Sequence, residues 1–160
     1  MHRRPAPVGL HRRSHRTGIA RRRHARTGQS PGAGTVTGII LVTHDGLGEA
    51  IRLEAENILD RPVNVTTVAV KYRSGVEETL EALRLALAAG ADKQGAVVLT
   101  DLPGATPHNL ASQTADECGM PVVSGLNLPM LLKVINHAGT APTELAELAA
   151  RGGSQGIVRA

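Results

Sequence analysis

The sequence predicts an α/β fold, an open and mainly parallel β-sheet with helices on both faces. Two observations lead there. Short apolar runs rich in β-branched residues alternate four times with stretches of helical periodicity. The first and third runs, "GIILVT" and "GAVVLT", are apolar almost throughout, as strands buried on both faces of a parallel sheet are.

The first strand is expected at 38–43, "GIILVT", and the helix after it at 48–59, "GEAIRLEAENIL", where Ile51, Ala55, Ile58 and Leu59 recur at helical spacing. "VNVTTVAV" (63–70) alternates as a strand does. "SGVEETLEALRLALAAG" (74–90) opens on a capping box, Ser74 with Glu77, and carries Val76, Leu80, Leu83 and Leu87 as one apolar stripe. Gly90 stands where a C′ glycine would end it. "GAVVLT" (95–100) is the third strand. In "TPHNLASQTADEC" (106–118), Thr106 is expected at the N-cap and Pro107 at N1, where its missing N–H costs nothing. "MPVVSG" (120–125) is a fourth strand, and "NLPMLLKVINHA" (127–138) a fourth helix with Asn127 capping and Pro129 in the first turn. "TELAELAARG" (143–152) is a last helix, and "QGIVRA" is a candidate edge strand.

Charge divides the chain into two expected parts. Residues 1–35 hold nine arginines and no acid, and removing them from the formal net charge of +4 leaves −5 for residues 36–160. The first part lacks apolar periodicity and is expected to be an unstructured basic extension, an over-long start being the plain explanation. It has no apolar h-region of a secretory signal, while its Arg-rich, acid-free composition resembles a transit peptide or an electrostatic arm. Residues 36–160 are expected to form one globular domain.

Composition narrows the chemistry. There is no Phe and no Trp, and the one aromatic ring is Tyr72, so base stacking is not at hand and a nucleic-acid partner is not expected. Cys118 is the lone cysteine, which rules out an intrachain disulfide and a cysteine zinc cluster, and fits a reducing cytoplasm. The apolar runs are far short of the ~20 residues that span a bilayer. The P-loop and the dinucleotide GxGxxG fingerprint are absent, and no GxSxG elbow follows an apolar strand.

In open parallel sheets ligands sit outside the carboxyl ends of the strands, at a topological switch point. Two segments end there: "LVTHDG" after the first strand and "LTDLPGATPHN" after the third. His44, at a strand end before a glycine-bearing loop, is either a turn residue or a nucleophile that divides one transfer into two. Asp101 either caps a turn or orients that imidazole by accepting from one ring nitrogen. Thr106 has a hydroxyl to donate. Backbone N–H groups around Gly104 and Ala105 and at the following helix start form an anion cradle. His108 and His137 read as structural, the latter at a helix C-terminus where the dipole favours it. His44 and Asp101 are too few ligands for a metal, and no bound cofactor is expected.

Three segments in order, "GIILVTHDGLGEA", "GAVVLTDLPGATPHNLA" and "VVSGLNLPMLLKVI", resemble the mannose-family enzyme IIA domain of the phosphoenolpyruvate-dependent phosphotransferase system. The resemblance spans residues 37–158. It implies that His44 is phosphorylated, that Asp101 orients it, and that Thr106 takes the place of a loop serine, with Gly104, Pro107 and Asn109 as the loop framework and Asn127, Pro129 and Met130 mainly structural. It further implies the small histidine phosphocarrier HPr as donor and an enzyme IIB as acceptor. A homodimer formed partly by exchange of a C-terminal antiparallel strand is also implied, with membrane association only indirect through a permease. Asp45 stands where the family has glycine, Gly46 replaces an aromatic, Ala105 replaces a glycine, and Leu102 and Pro103 replace polar or aromatic residues. The expected role is either sugar uptake or a regulatory relay, between which the sequence does not decide. The alternatives are the phosphotransfer subunit of a dihydroxyacetone kinase and a non-catalytic anion-binding module.

Overall fold

The structure, a computed structural model, describes residues 36–71 and 75–160. The basic extension and Ser74 of the expected capping box lie outside them. The elements run β1 (Gly38–His44), α1 (Leu47–Leu59), β2 (Thr66–Val70), α2 (Val76–Ala91), β3 (Ala96–Thr100), α3 (Thr106–Asp116), β4 (Val122–Ser124), α4 (Leu128–Asn136) and α5 (Pro142–Gln155). The strands pair in the order β2-β1-β3-β4, and all described pairs are parallel.

The period of two along a strand divides the core. Ile40 and Val42 of β1 face one way with Val68, Val70 and Val98, and pack on Leu83 and Leu87 of α2 and on Ala111 and Ala115 of α3. Ile39 and Leu41 face the other way with Val97 and Leu99, and meet Ala55 of α1, Leu131 and Val134 of α4, and Leu145 and Ala149 of α5. Both faces of the two central strands are therefore dry, which is why "GIILVT" and "GAVVLT" are apolar without alternation. β2 starts later than its alternating sequence, at Thr66, because Val63 and Val65 pack against the α1–α4–α5 side before the ladder begins.

Two expectations are corrected. Thr106 is the first residue of α3, and Ala105, extended at φ −78° and ψ 170°, is the N-cap. Gly90 does not end α2, which runs one residue further. It is a contact glycine, buried where the helix crosses β3, and a Cβ there would lie 2.7 Å from the Ala96 Cβ. In the single chain residues 156–160 add no strand to the sheet: α5 extends to Gln155, and Ile157 and Val158 beyond it are 80% and 83% exposed. Asn127 caps α4 as expected, its side chain accepting from the Met130 N–H at 2.9 Å.

Gly90→Ala tests the close crossing. Alanine gains about 1 kcal/mol of helix propensity, whereas overpacking against a Cβ that cannot move aside costs about 1–3 kcal/mol. A net loss of stability is expected in urea unfolding. A stabilised variant would mean that α2 has room to shift.

Candidate active site

β1 continues to β2 on one side, while β3 lies on its other side, so the sheet's switch point falls between the carboxyl ends of β1 and β3. His44 is the last residue of β1, and Asp101 follows the last residue of β3. The β1–β3 ladder ends with Val42 opposite Thr100. Beyond that pair the Asp101 carboxylate takes over from the main chain. Its Oδ2 accepts from the His44 backbone N–H at 2.8 Å and pairs with His44 Nδ1 at 2.8 Å, while its Oδ1 accepts from the Leu102 N–H at 2.8 Å. A carboxylate can only accept, so the contact puts a proton on Nδ1 and the ring lone pair of the neutral imidazole on Nε2.

The Asp101 side chain is 8% exposed and that of His44 25%. Burial pushes the Asp101 carboxyl up. The His44 backbone N–H, the His44 ring N–H, the Leu102 N–H and the attraction of the ring in its protonated form together outweigh it and hold the group below the ordinary carboxylate range.

The loops on either side are fixed by short polar contacts. Gly46, the N-cap of α1, has no side chain to offer; Thr43, buried at the end of β1, accepts instead from the Gly48 N–H at 2.8 Å. The strand carrying His44 thus caps the helix that follows it. Asp45 between them is exposed, has φ +35°, and donates its N–H to the Val70 carbonyl at 3.2 Å. Aspartate is among the few residues that tolerate this left-handed region, which accounts for a position otherwise suited to glycine. In the second loop Gly104 has φ +76°, its carbonyl accepts from Asn109 Nδ2 at 3.0 Å, and the Ala105 carbonyl accepts from the Asn109 N–H at 2.9 Å. That last contact is the first turn of α3. It leaves the N–H groups of Thr106 and His108 ahead of the helix ladder, with Pro107 between them carrying none.

A cleft of about 200 Å³ opens beside the imidazole, lined by His44, Val70, Lys71, Val76, Thr79, Thr106 and Leu110. Of the residues expected from the sequence, His44 and Asp101 are in direct contact and Thr106 shares the cleft. Gly104 and Ala105 shape the turn leading to it and do not line it. His108 is held away from the cleft, Nδ1 within 3.1 Å of the buried Thr100 hydroxyl, and His137 donates from Nδ1 to the Lys133 carbonyl at 2.8 Å. Sequence reasoning missed Thr43, Thr79 and Lys71. Only the strand register carries a signal for Lys71, since it follows Val70, the partner of His44.

Relatives place the geometry in a lineage. The EIIA-man family model, "PTS system fructose IIA component", matches residues 38–151. The mannose-specific EIIAB component of Escherichia coli K12 is 29% identical over 122 residues, which is 74% of this chain and 38% of that protein. The chain therefore spans well under half the length of that relative. Among solved structures, the phosphotransferase system component EIIA from Streptococcus agalactiae is 27% identical with a TM-score of 0.66, covering 77% of this chain and 96% of that one. The mannose/sorbose IIA subunit from Enterococcus faecalis shares the fold at 24% identity and a TM-score of 0.66, covering 78% and 95%.

The Asp101 contacts carry a pH signature. A carboxyl whose folded pKa lies below the unfolded value of ~3.9 stabilises fully above that value, and the contribution is lost as pH falls through the folded pKa. The stability gap between wild type and Asp101→Asn is expected to be constant near neutrality and to narrow below about pH 4. Urea unfolding at a series of pH values measures it, and a gap that does not change with pH would contradict the assignment.

Proposed function

The chain belongs to the EIIA-man family of phosphotransferase-system IIA components, and from that premise we propose that it is a phosphocarrier whose His44 accepts a phosphoryl group from HPr. The acceptor is an enzyme IIB or a protein of a regulatory relay. The single observation that carries the reading is the 2.8 Å contact of His44 Nδ1 with a buried carboxylate, at a switch point that opens onto a cleft.

The chemistry follows from the proton's position. With Nδ1 protonated, the Nε2 lone pair attacks phosphorus. The P–N bond of the donor's phosphohistidine breaks as the new P–N bond forms, and the donor ring recovers its lone pair. The His44 ring becomes cationic while its Nδ1–H still points at Asp101, so the carboxylate stabilises the charge as it develops. The Thr106 hydroxyl and the N–H groups at the start of α3 are donors for the phosphoryl oxygens, with the positive end of the helix dipole behind them. The next transfer reverses these steps toward the acceptor.

In this reading residues 36–160 form the IIA domain, residues 1–35 are an extension, and the setting is the cytoplasm. Among the described residues no helix is long and apolar enough to cross a membrane. The protein acts as a homodimer, and exchange of the C-terminal segment covers Ile157 and Val158, which one copy leaves exposed.

Incubation with phosphoenolpyruvate, the system's first enzyme and HPr is expected to give an acid-labile phosphoryl adduct that His44→Ala lacks. Equal labelling of the two would overturn the reading. Asp101→Asn keeps the shape but removes the charge opposite the developing cation, and is expected to slow transfer by about 100-fold or more. An unchanged rate would remove Asp101 from the mechanism.

A further inference from the structure

We propose that Lys71 supplies the counter-charge for the phosphoryl group on His44; the proposal rests on the phosphocarrier reading and adds to it the residue that binds the transferred group. A phosphoryl group carries close to two negative charges near neutral pH. His44 is poorly placed to receive them. Asp101 sits against its Nδ1, Asp45 follows it in sequence, and residues 36–160 carry a net charge of −5. Thr79, Thr106 and the start of α3 offer dipoles and donors, but no full positive charge.

Among the described residues lining the cleft, Lys71 is the one Lys or Arg. Its place is set by the main chain. In the β1–β2 register Val70 is the partner of His44, and the Val70 carbonyl is tied to the Asp45 N–H. Lys71 is the next residue, at the same carboxyl edge of the sheet. Its ammonium is a compact charge with three donors on a flexible stem, suited to a group that arrives and leaves. Val70, Val76 and Leu110 make part of the cleft wall apolar, which strengthens attraction relative to open water. A merely solvated lysine at a strand end would share the location and have no effect on transfer.

Potassium phosphoramidate separates the charge effect from partner docking, because it is a small donor that needs no protein surface. His44 Nε2 forms the bond to phosphorus, the donor's P–N bond breaks, and its nitrogen leaves as ammonia. Lys71→Ala is expected to react about tenfold more slowly than wild type, with Lys71→Arg staying within about threefold. Added salt is expected to slow wild type and to act much less on Lys71→Ala, since screening has one fewer cation to weaken. Lys71 is exposed, and unchanged thermal unfolding of Lys71→Ala excludes a folding defect. Wild-type rate and salt dependence in Lys71→Ala would overturn the assignment while leaving the phosphocarrier reading in place. A wild type that takes phosphoryl from neither phosphoramidate nor HPr would overturn both.

Discussion

One carboxylate oxygen holds the site together. Asp101 Oδ2 receives both the main-chain N–H and the ring N–H of the same histidine. The first contact continues the β1–β3 ladder by one more step and fixes where His44 stands; the second fixes which way its ring faces and where its proton lies. Position and protonation are therefore decided by one buried group. A shift of β3 against β1 would remove both contacts together.

That dependence explains why the two central strands are packed so heavily. Ile39, Ile40, Leu41, Val42, Val97, Val98 and Leu99 are all buried, with helices on both sides of the sheet. A core with no Phe or Trp fills its space by bringing helices close, which is the purpose of small residues such as Gly90, Ala96, Ala111 and Ala115 at the crossings. At the carboxyl edge the ladders end and side chains take over the backbone groups. Thr43 serves the Gly48 N–H, Asp101 those of His44 and Leu102, and Asn127 that of Met130. The site stands on strand ends, and it is accessible because that is where the strands stop.

The strands and helices were legible because burial imposes a period, and β1 and β3 announced themselves by having none. His44 and Asp101 were legible because each follows an apolar run directly. Contacts set by register or tertiary approach were not. Thr106 looked like an N-cap because its residue type suits one, yet the extended backbone falls on Ala105. Gly90 looked like a helix stop because glycine has two uses, and only the approach of Ala96 shows which applies. Lys71 belongs to the cleft through a strand pairing that no local pattern encodes.

The double contact on Asp101 Oδ2 also bears on the identity of the product. Two regioisomers of phosphohistidine exist, one for each ring nitrogen, and a free imidazole in water has access to both. Here the carboxylate occupies the Nδ1 side, so on the proposed mechanism the phosphoryl group is directed to Nε2. On that proposal the pairing of two strands selects a single regioisomer, and the choice between ring nitrogens becomes a property of sheet register.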